Sequence, residues 1–488
     1  MNALAKLDHR YVWHPFTQMR DWLRREPIVI VEGHGAVLRD ICGREYLDAN
    51  SSIWTNLHGH NHPKINTAIQ RQLKKVAHSS ALGLANEAAS LLAEKLVKAA
   101  SSQSDHASRV THHSPRNTQH ATRPALLTKI FFSDDGSTAM EVALKLAYEY
   151  TRRTGRSRQP KFLSLEGAYH GDTVGAVALG HIELFHKAYS GLLFKTDKVA
   201  APYCYRCPYN RAKPERADAR EYRKCNWECV DDLEKKFASR KKKANPYAAF
   251  VVEPLMQGAA GMIPQPSGWL KRAAEISHGH GALLIADEVM TGFGRAANAP
   301  TLFACQQEGV QPDFLAVAKG LTGGYLPMAA TLTTQRIFDA FLGEYHEFNT
   351  FFHGHSFTGN QLGAAAALAN LEILQSGASI RARCSLQITL QEELKSLWTM
   401  PNIGDIRQVG LVVGIELVKD WGTREPFDLR ERAGIRVCEA MARRGVLTRP
   451  IGNVVVLMPP YCTTRDQVKQ MVAALKEAIA EPGALTTG

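Results

Sequence analysis

The feature that most constrains this chain is a set of short apolar runs, bounded by Gly, Asp or Pro and separated by sequence of helical pattern, at residues 129–132, 161–165, 248–252, 282–286 and 314–318. A run that is apolar at every position is buried on both faces, as parallel strands covered by helices are. The chain is therefore expected to be an α/β protein. Each run is followed at once by polar or glycine-rich residues. Ligands of open α/β sheets sit beyond the carboxyl ends of the strands, so the chemistry is sought at those junctions.

The length of 488 residues allows two or three domains. No run of about eighteen apolar residues occurs, and residues 1–25 lack the apolar core of a signal peptide, so a cytoplasmic protein without a membrane segment is expected. Nine cysteines, an odd number with Cys42, Cys305, Cys384, Cys438 and Cys462 scattered singly, do not read as a disulfide framework. The formal charge of +12 is concentrated in residues 101–123, 206–224 and 240–243. These stretches read as solvated insertions, and no nucleic-acid recognition motif accompanies them, so no nucleic-acid partner is expected. The first reads as a mobile loop, in which His106, His112, His113 and His120 have no scaffold to bind metal.

The strongest local signal is the run that ends in Asp287-Glu288 and continues into Gly292-Phe-Gly-Arg295. A second run ends in Lys319, and a lysine closing so apolar a strand is costly unless it is used. Their separation suits a strand, a crossover and a neighbouring strand, which puts both side chains in one cleft. An amine that forms an imine with an aldehyde, paired with a carboxylate that holds a ring nitrogen protonated, is what pyridoxal phosphate (PLP) requires. The same lysine, once released, can move a proton between substrate and cofactor carbons. Gly136-Ser137-Thr138 follows a strand and opens a helical pattern, a place where free N–H groups and the helix dipole favour a phosphate. Tyr169, in Tyr169-His-Gly-Asp172, offers an aromatic face for stacking.

Gly136-Ser137, Tyr169-His-Gly171, Glu253-Pro254, Asp287-Glu288 and Ala318-Lys-Gly320 resemble, in this order and over nearly the whole chain, the class III aminotransferases of PLP fold type I. Trp13-His-Pro-Phe-Thr-Gln-Met19, Ser51-Ser-Ile-Trp54, His58-Gly-His-Asn-His-Pro63, Phe352-His-Gly-His-Ser-Phe-Thr-Gly359 and Leu457-Met-Pro-Pro460 narrow the resemblance to the members that aminate 8-amino-7-oxononanoate in biotin synthesis. The resemblance implies a large domain built on a mostly parallel seven-stranded sheet covered by helices, with a smaller α/β domain. On it the chain divides into an N-terminal segment, 1–65, that joins the small domain, a large PLP-binding domain, 66–344, with insertions at about 101–125 and 201–244, and the small domain, 345–488.

Carried over residue by residue, Lys319 binds the cofactor aldehyde, Asp287 pairs with the pyridine nitrogen, Gly136 and Ser137 take the phosphate and Tyr169 stacks on the ring. The resemblance also implies a homodimer with two shared active sites, in which His355 and Ser356 reach the opposite subunit's cofactor. Phe16, Ile53, Trp54, Gly354 and Arg449 fall in the substrate pocket, Arg449 taking the ketone's carboxylate. Phe16 and Ile53 stand where adenosylmethionine-using members typically have Tyr and Trp. S-Adenosylmethionine and lysine both stay open as amino donors, with lysine slightly favoured. Cys204, Cys207, Cys225 and Cys229 have spacing close to that of a four-cysteine zinc site, with free or redox-active thiols as the favoured alternative.

Overall fold

A computed structural model describes residues 1–101, 126–242 and 245–485. The expected loop and its histidines, His106, His112, His113 and His120, lie outside the described residues, as does Lys243 of the basic run. The expected α/β architecture is present. Seven strands form one sheet: β1 (Leu127–Ser133), β2 (Lys161–Leu165), β3 (Asp197–Val199), β4 (Tyr247–Val252), β5 (Leu283–Asp287), β6 (Phe314–Val317) and β7 (Ala329–Thr334), in the spatial order β1-β7-β6-β5-β4-β2-β3. Neighbours are parallel except at β7, which runs antiparallel to β6 and β1. Strands β4 to β7 are buried along their whole length, the consequence of helices on both faces.

Two other sheets frame this one. Ile30–His34, Val37–Asp40 and Glu45–Asp48 form an antiparallel meander that takes Val446–Leu447 as a parallel fourth strand. Ile403–Val409, Val412–Asp420, Val454–Leu457 and Pro450–Ile451 form the core of a second antiparallel sheet. Among the described residues no helix is long and apolar enough to cross a membrane.

The basic stretch 206–224 is not the solvated insertion its composition suggests. Arg206 pairs with Glu416 at 2.6 Å, and Tyr203 donates to the same carboxylate. Arg216 donates to the carbonyl of Ile403 at 2.7 Å, and Arg220 to that of Gln408 at 2.7 Å. These arginines are spent on the second antiparallel sheet, where unpaired carboxylates and carbonyls need donors. Asp405 and Glu416 sit opposite each other across two strands, an unfavourable pairing of like charges that Arg407 resolves. Fully buried, Arg407 lies 2.7 Å from Glu416 and 3.1 Å from Asp405, and its other nitrogens donate to the carbonyls of Met262 and Gly261. Burial pushes the Asp405 carboxyl up to about 7, whereas Arg407 and Arg206 outweigh burial at Glu416 and hold it below its usual range.

Glu288, next to Asp287, is buried without a cation, and its two oxygens accept from the N–H groups of Ala304 and Cys305, both at 2.7 Å. Burial pushes this carboxyl up to about 7 from an ordinary 4.5. A raised carboxyl contributes stability that is complete below about pH 4.5 and is lost as pH rises through about 7.

Two measurements follow from these buried charges. Arg407→Ala leaves the buried Asp405 carboxyl without its cation and removes one of the two cations paired with Glu416, and should cost about 3–5 kcal/mol in urea unfolding; a loss below 1 kcal/mol would show that the network does not brace the sheet. Between pH 4.5 and 7 the wild type should lose on the order of 3 kcal/mol relative to Glu288→Gln, which cannot ionise. Parallel stability profiles for the two proteins would contradict that reading.

Candidate active site

Strands β5 and β6 pair in parallel with Asp287 opposite Ala316, three residues before Lys319. The polypeptide then turns into a short 3-10 segment, Lys319–Thr322, so both side chains emerge beyond the carboxyl edge of the sheet. They line one cavity of about 240 Å³ with Trp54, Gly136, Ser137, Tyr169, His170, Glu253 and Met290. Lys319 is half-buried, and desolvation lowers its amine's pKa against the opposing pull of Asp287, Glu253 and Asp172. An amine kept closer to neutral is the better nucleophile for an aldehyde. Its Nζ lies 5.2 Å from the centre of the Trp54 ring.

The 18-residue helix α1 (Gly136–Arg153) starts on the same cavity. Asp135 caps it by accepting from the Thr138 N–H at 2.9 Å, which leaves the N–H groups of Gly136 and Ser137 for an anion. Gly136 is required by space, because a Cβ there would lie 2.7 Å from a methyl of Val289. Gly171, at φ +123°, lets the Tyr169-His-Gly-Asp turn pass against Ser137, whose hydroxyl oxygen accepts from the Asp172 N–H at 3.0 Å. Tyr169 donates its phenol to Asp172 at 2.6 Å, and its ring lies parallel to that of His186. The turn is pinned to α1 by Glu141, whose Oε1 accepts from Thr173 Oγ1 at 2.6 Å and from the Gly175 N–H at 2.8 Å.

Two buried groups that sequence reasoning quoted without a role complete the cavity. His170 Nδ1 lies 2.7 Å from Asp287 Oδ2, both groups being shielded from solvent. The other ring nitrogen of His170 has no hydrogen-bond partner among the described residues. Glu253 accepts from the Gly258 N–H at 2.8 Å, and burial pushes its carboxyl up to about 7. Glu253 directly follows β4 and His170 lies in the turn beyond β2, so the available signal for both is a polar residue past the carboxyl end of an apolar strand.

The structure does not bring every expected residue to this cavity. Phe16 is 60 % exposed and reaches the site through a chain of edge-on rings, Phe16 on Phe185 and Phe185 on Tyr169. Ile53 is 42 % exposed beside Trp54. Arg449 is exposed in the segment between Val446–Leu447 and Pro450–Ile451, and Gly354 and Ser356 are exposed on a loop away from the cavity walls. His355 lies 3.7 Å from Asp134, just before the helix cap. In the four-cysteine stretch all four thiols are free, Cys204 and Cys229 buried and Cys207 and Cys225 half-buried. Among the described residues no group of three or more His, Cys, Asp or Glu side chains is arranged to hold a metal ion.

A phosphorylated pyridine aldehyde fits what is present: a desolvated amine, a buried carboxylate backed by a histidine, and a helix N-terminus whose first residue must be Gly. The class-III aminotransferase family profile matches residues 19–479. The chain is 45 % identical over 477 residues, 98 % of its length and 97 % of the relative's, to the adenosylmethionine-8-amino-7-oxononanoate aminotransferase of Geobacter sulfurreducens. It superposes on the crystal structure of the enzyme of that name from Methanocaldococcus jannaschii with a TM-score of 0.84, at 38 % identity and 98 % coverage of both chains. A PLP-bound amine transaminase from an uncultivated Pseudomonas species gives 0.83 at 33 % identity, covering 96 % of this chain and 98 % of that one. With a cavity suited to PLP and a family match across almost its entire length, this chain belongs to the class-III aminotransferases and is a PLP-dependent enzyme.

Proposed function

We propose that this enzyme transfers an amino group to 8-amino-7-oxononanoate, forming 7,8-diaminononanoate in biotin biosynthesis, with adenosylmethionine as donor. The observation that carries the reading is the full-length similarity, at 45 %, to a relative named for that substrate and that donor. This outweighs the slight preference for lysine drawn from Phe16 and Ile53.

In this reading PLP supplies an aldehyde for the amine and an electron-accepting ring that stabilises negative charge on the substrate carbon. Lys319 would hold the aldehyde, and once released its amine would carry the proton to and from that carbon. Asp287, oriented by His170, would pair with the pyridine nitrogen. The Gly136 and Ser137 N–H groups would hold the phosphate, and Tyr169, its phenol fixed by Asp172, would cover the ring. Trp54, over Lys319, keeps water from the amine.

The exposed Ser356 and Gly354, on a loop with Phe352 71 % and Phe357 59 % exposed, support a homodimer in which this loop completes the opposite subunit's site. Arg449 is then the residue for the ketone's carboxylate at the pocket's outer end. The division at about 65 and 344 is supported by strand pairing, since residues before 65 join Val446–Leu447 rather than the seven-stranded sheet. A second reading, another class-III ω-amino-acid or diamine aminotransferase, is favoured by the likeness to the amine transaminase.

Purified protein reconstituted with PLP should be yellow and should aminate 8-amino-7-oxononanoate when adenosylmethionine is supplied. Turnover of simple amines with no turnover of this ketone would favour the second reading. Lys319→Ala should lower kcat by at least about 10⁴-fold and abolish the bound-cofactor absorbance band. His170→Ala should lower kcat by about 10–100-fold while keeping the band and shifting its pH dependence; an unshifted profile would show that His170 does not act through Asp287.

A further inference from the structure

Four successive residues without a glycine, Ser51, Ser52, Ile53 and Trp54, have φ of +46°, +49°, +66° and +71°. L-residues enter this left-handed region at a steric cost, a β-branched isoleucine most of all, and consecutive occupancy persists only where surroundings over-determine it. The surroundings here are specific. Asp48 Oδ1 accepts from the Ser52 N–H at 3.0 Å and the Asn50 N–H at 3.3 Å, and its Oδ2 accepts from the Ser52 hydroxyl at 2.9 Å. His60 Nε2 lies 2.9 Å from the same Oδ2. On the other side, Ser51 donates to the carbonyl of Met458 at 2.7 Å, and Trp54 donates its indole N–H to Asn50 at 2.8 Å. Asp48 is buried, yet the bonds from His60 and Ser52 outweigh burial and keep its carboxyl below the usual range.

The product of this turn is a tryptophan over the reactive amine. Trp54 Cζ3 is also close to Gly258, where an added Cβ would meet it at 3.4 Å. Ile53, the position that departs from the donor-binding motif, rides on the same turn. Asp48 itself is not among the residues that line the cavity.

We propose that Asp48 is a positioning residue for substrate discrimination: it holds the left-handed turn that presents Ile53 and Trp54 to the incoming substrate. The inference rests on the aminotransferase reading above. Without Asp48, the turn relaxes toward right-handed backbone, and Trp54 leaves its place over Lys319 while the phosphate turn, Asp287 and Tyr169 keep theirs.

The test uses full-length, PLP-loaded protein and compares wild type with Asp48→Asn and with Ser52→Ala, which deletes one of the four contacts to Asp48. Expected for Asp48→Asn are a tenfold or greater fall in kcat/KM for the ketone and the amino donor, with unchanged cofactor absorbance. Backbone hydrogen exchange over residues 50–57 should speed up at least tenfold, with Ser52→Ala between the two proteins in both readouts. Unchanged exchange in this segment, or unchanged kcat/KM alongside faster exchange, would overturn the proposal. If Asp48→Asn does not fold, Ser52→Ala decides alone, an unaltered kcat/KM and exchange counting against it. A wild type inactive on 8-amino-7-oxononanoate would remove the substrate reading but leave the exchange result to judge the clamp.

Discussion

The pairing of β5 with β6 sets the terms for everything around it. Backbone hydrogen bonds between parallel neighbours hold Asp287 and the start of the Lys319 segment at fixed separation, and the helices covering the sheet remove both from water. Desolvation favours a neutral amine at Lys319. The Asp287 carboxylate accepts from the Val289 N–H at 3.1 Å and lies 2.7 Å from the His170 ring, so the donors that orient it come from the protein itself.

Much of this was legible in the residues because the large sheet is buried on both faces. Five strands stood out as mostly apolar runs, and Asp287 and Lys319 stood out as polar ends of such runs. Strand β3 is only three residues long and lies at the edge, too short to show a pattern. Strand β7 was missed for another reason: Thr331, Thr333 and Thr334 read as polar, but inside the fold Thr331 and Thr333 give their hydroxyl protons to the carbonyls of Ala139 and Asp313. Burial of threonine depends on partners distant in the chain, and no local pattern reveals them.

Other features were invisible for related reasons. Left-handed backbone is usually announced by Gly or Asn, and Ser51-Ser-Ile-Trp54 has neither, since a carboxylate and a histidine enforce it from outside. The arginines between 206 and 224 looked like surface charge because their carboxylate and carbonyl partners lie about two hundred residues further along. Arg449 and Ser356 are exposed and do not line the cavity.

The docked insertion carries a consequence for how this enzyme can be shortened or transplanted. Tyr203 and Arg206 occupy the outer side of Glu416, and Arg407 occupies the inner side while holding the carbonyls of Gly261 and Met262 close behind the cavity. Excising the cysteine-bearing stretch as a dispensable loop would therefore expose one face of a charge cluster built to be sealed, a few residues from Gly258 and Glu253. A minimal version of this scaffold has to keep the insertion or replace the whole Asp405, Arg407 and Glu416 set with apolar residues at the same time.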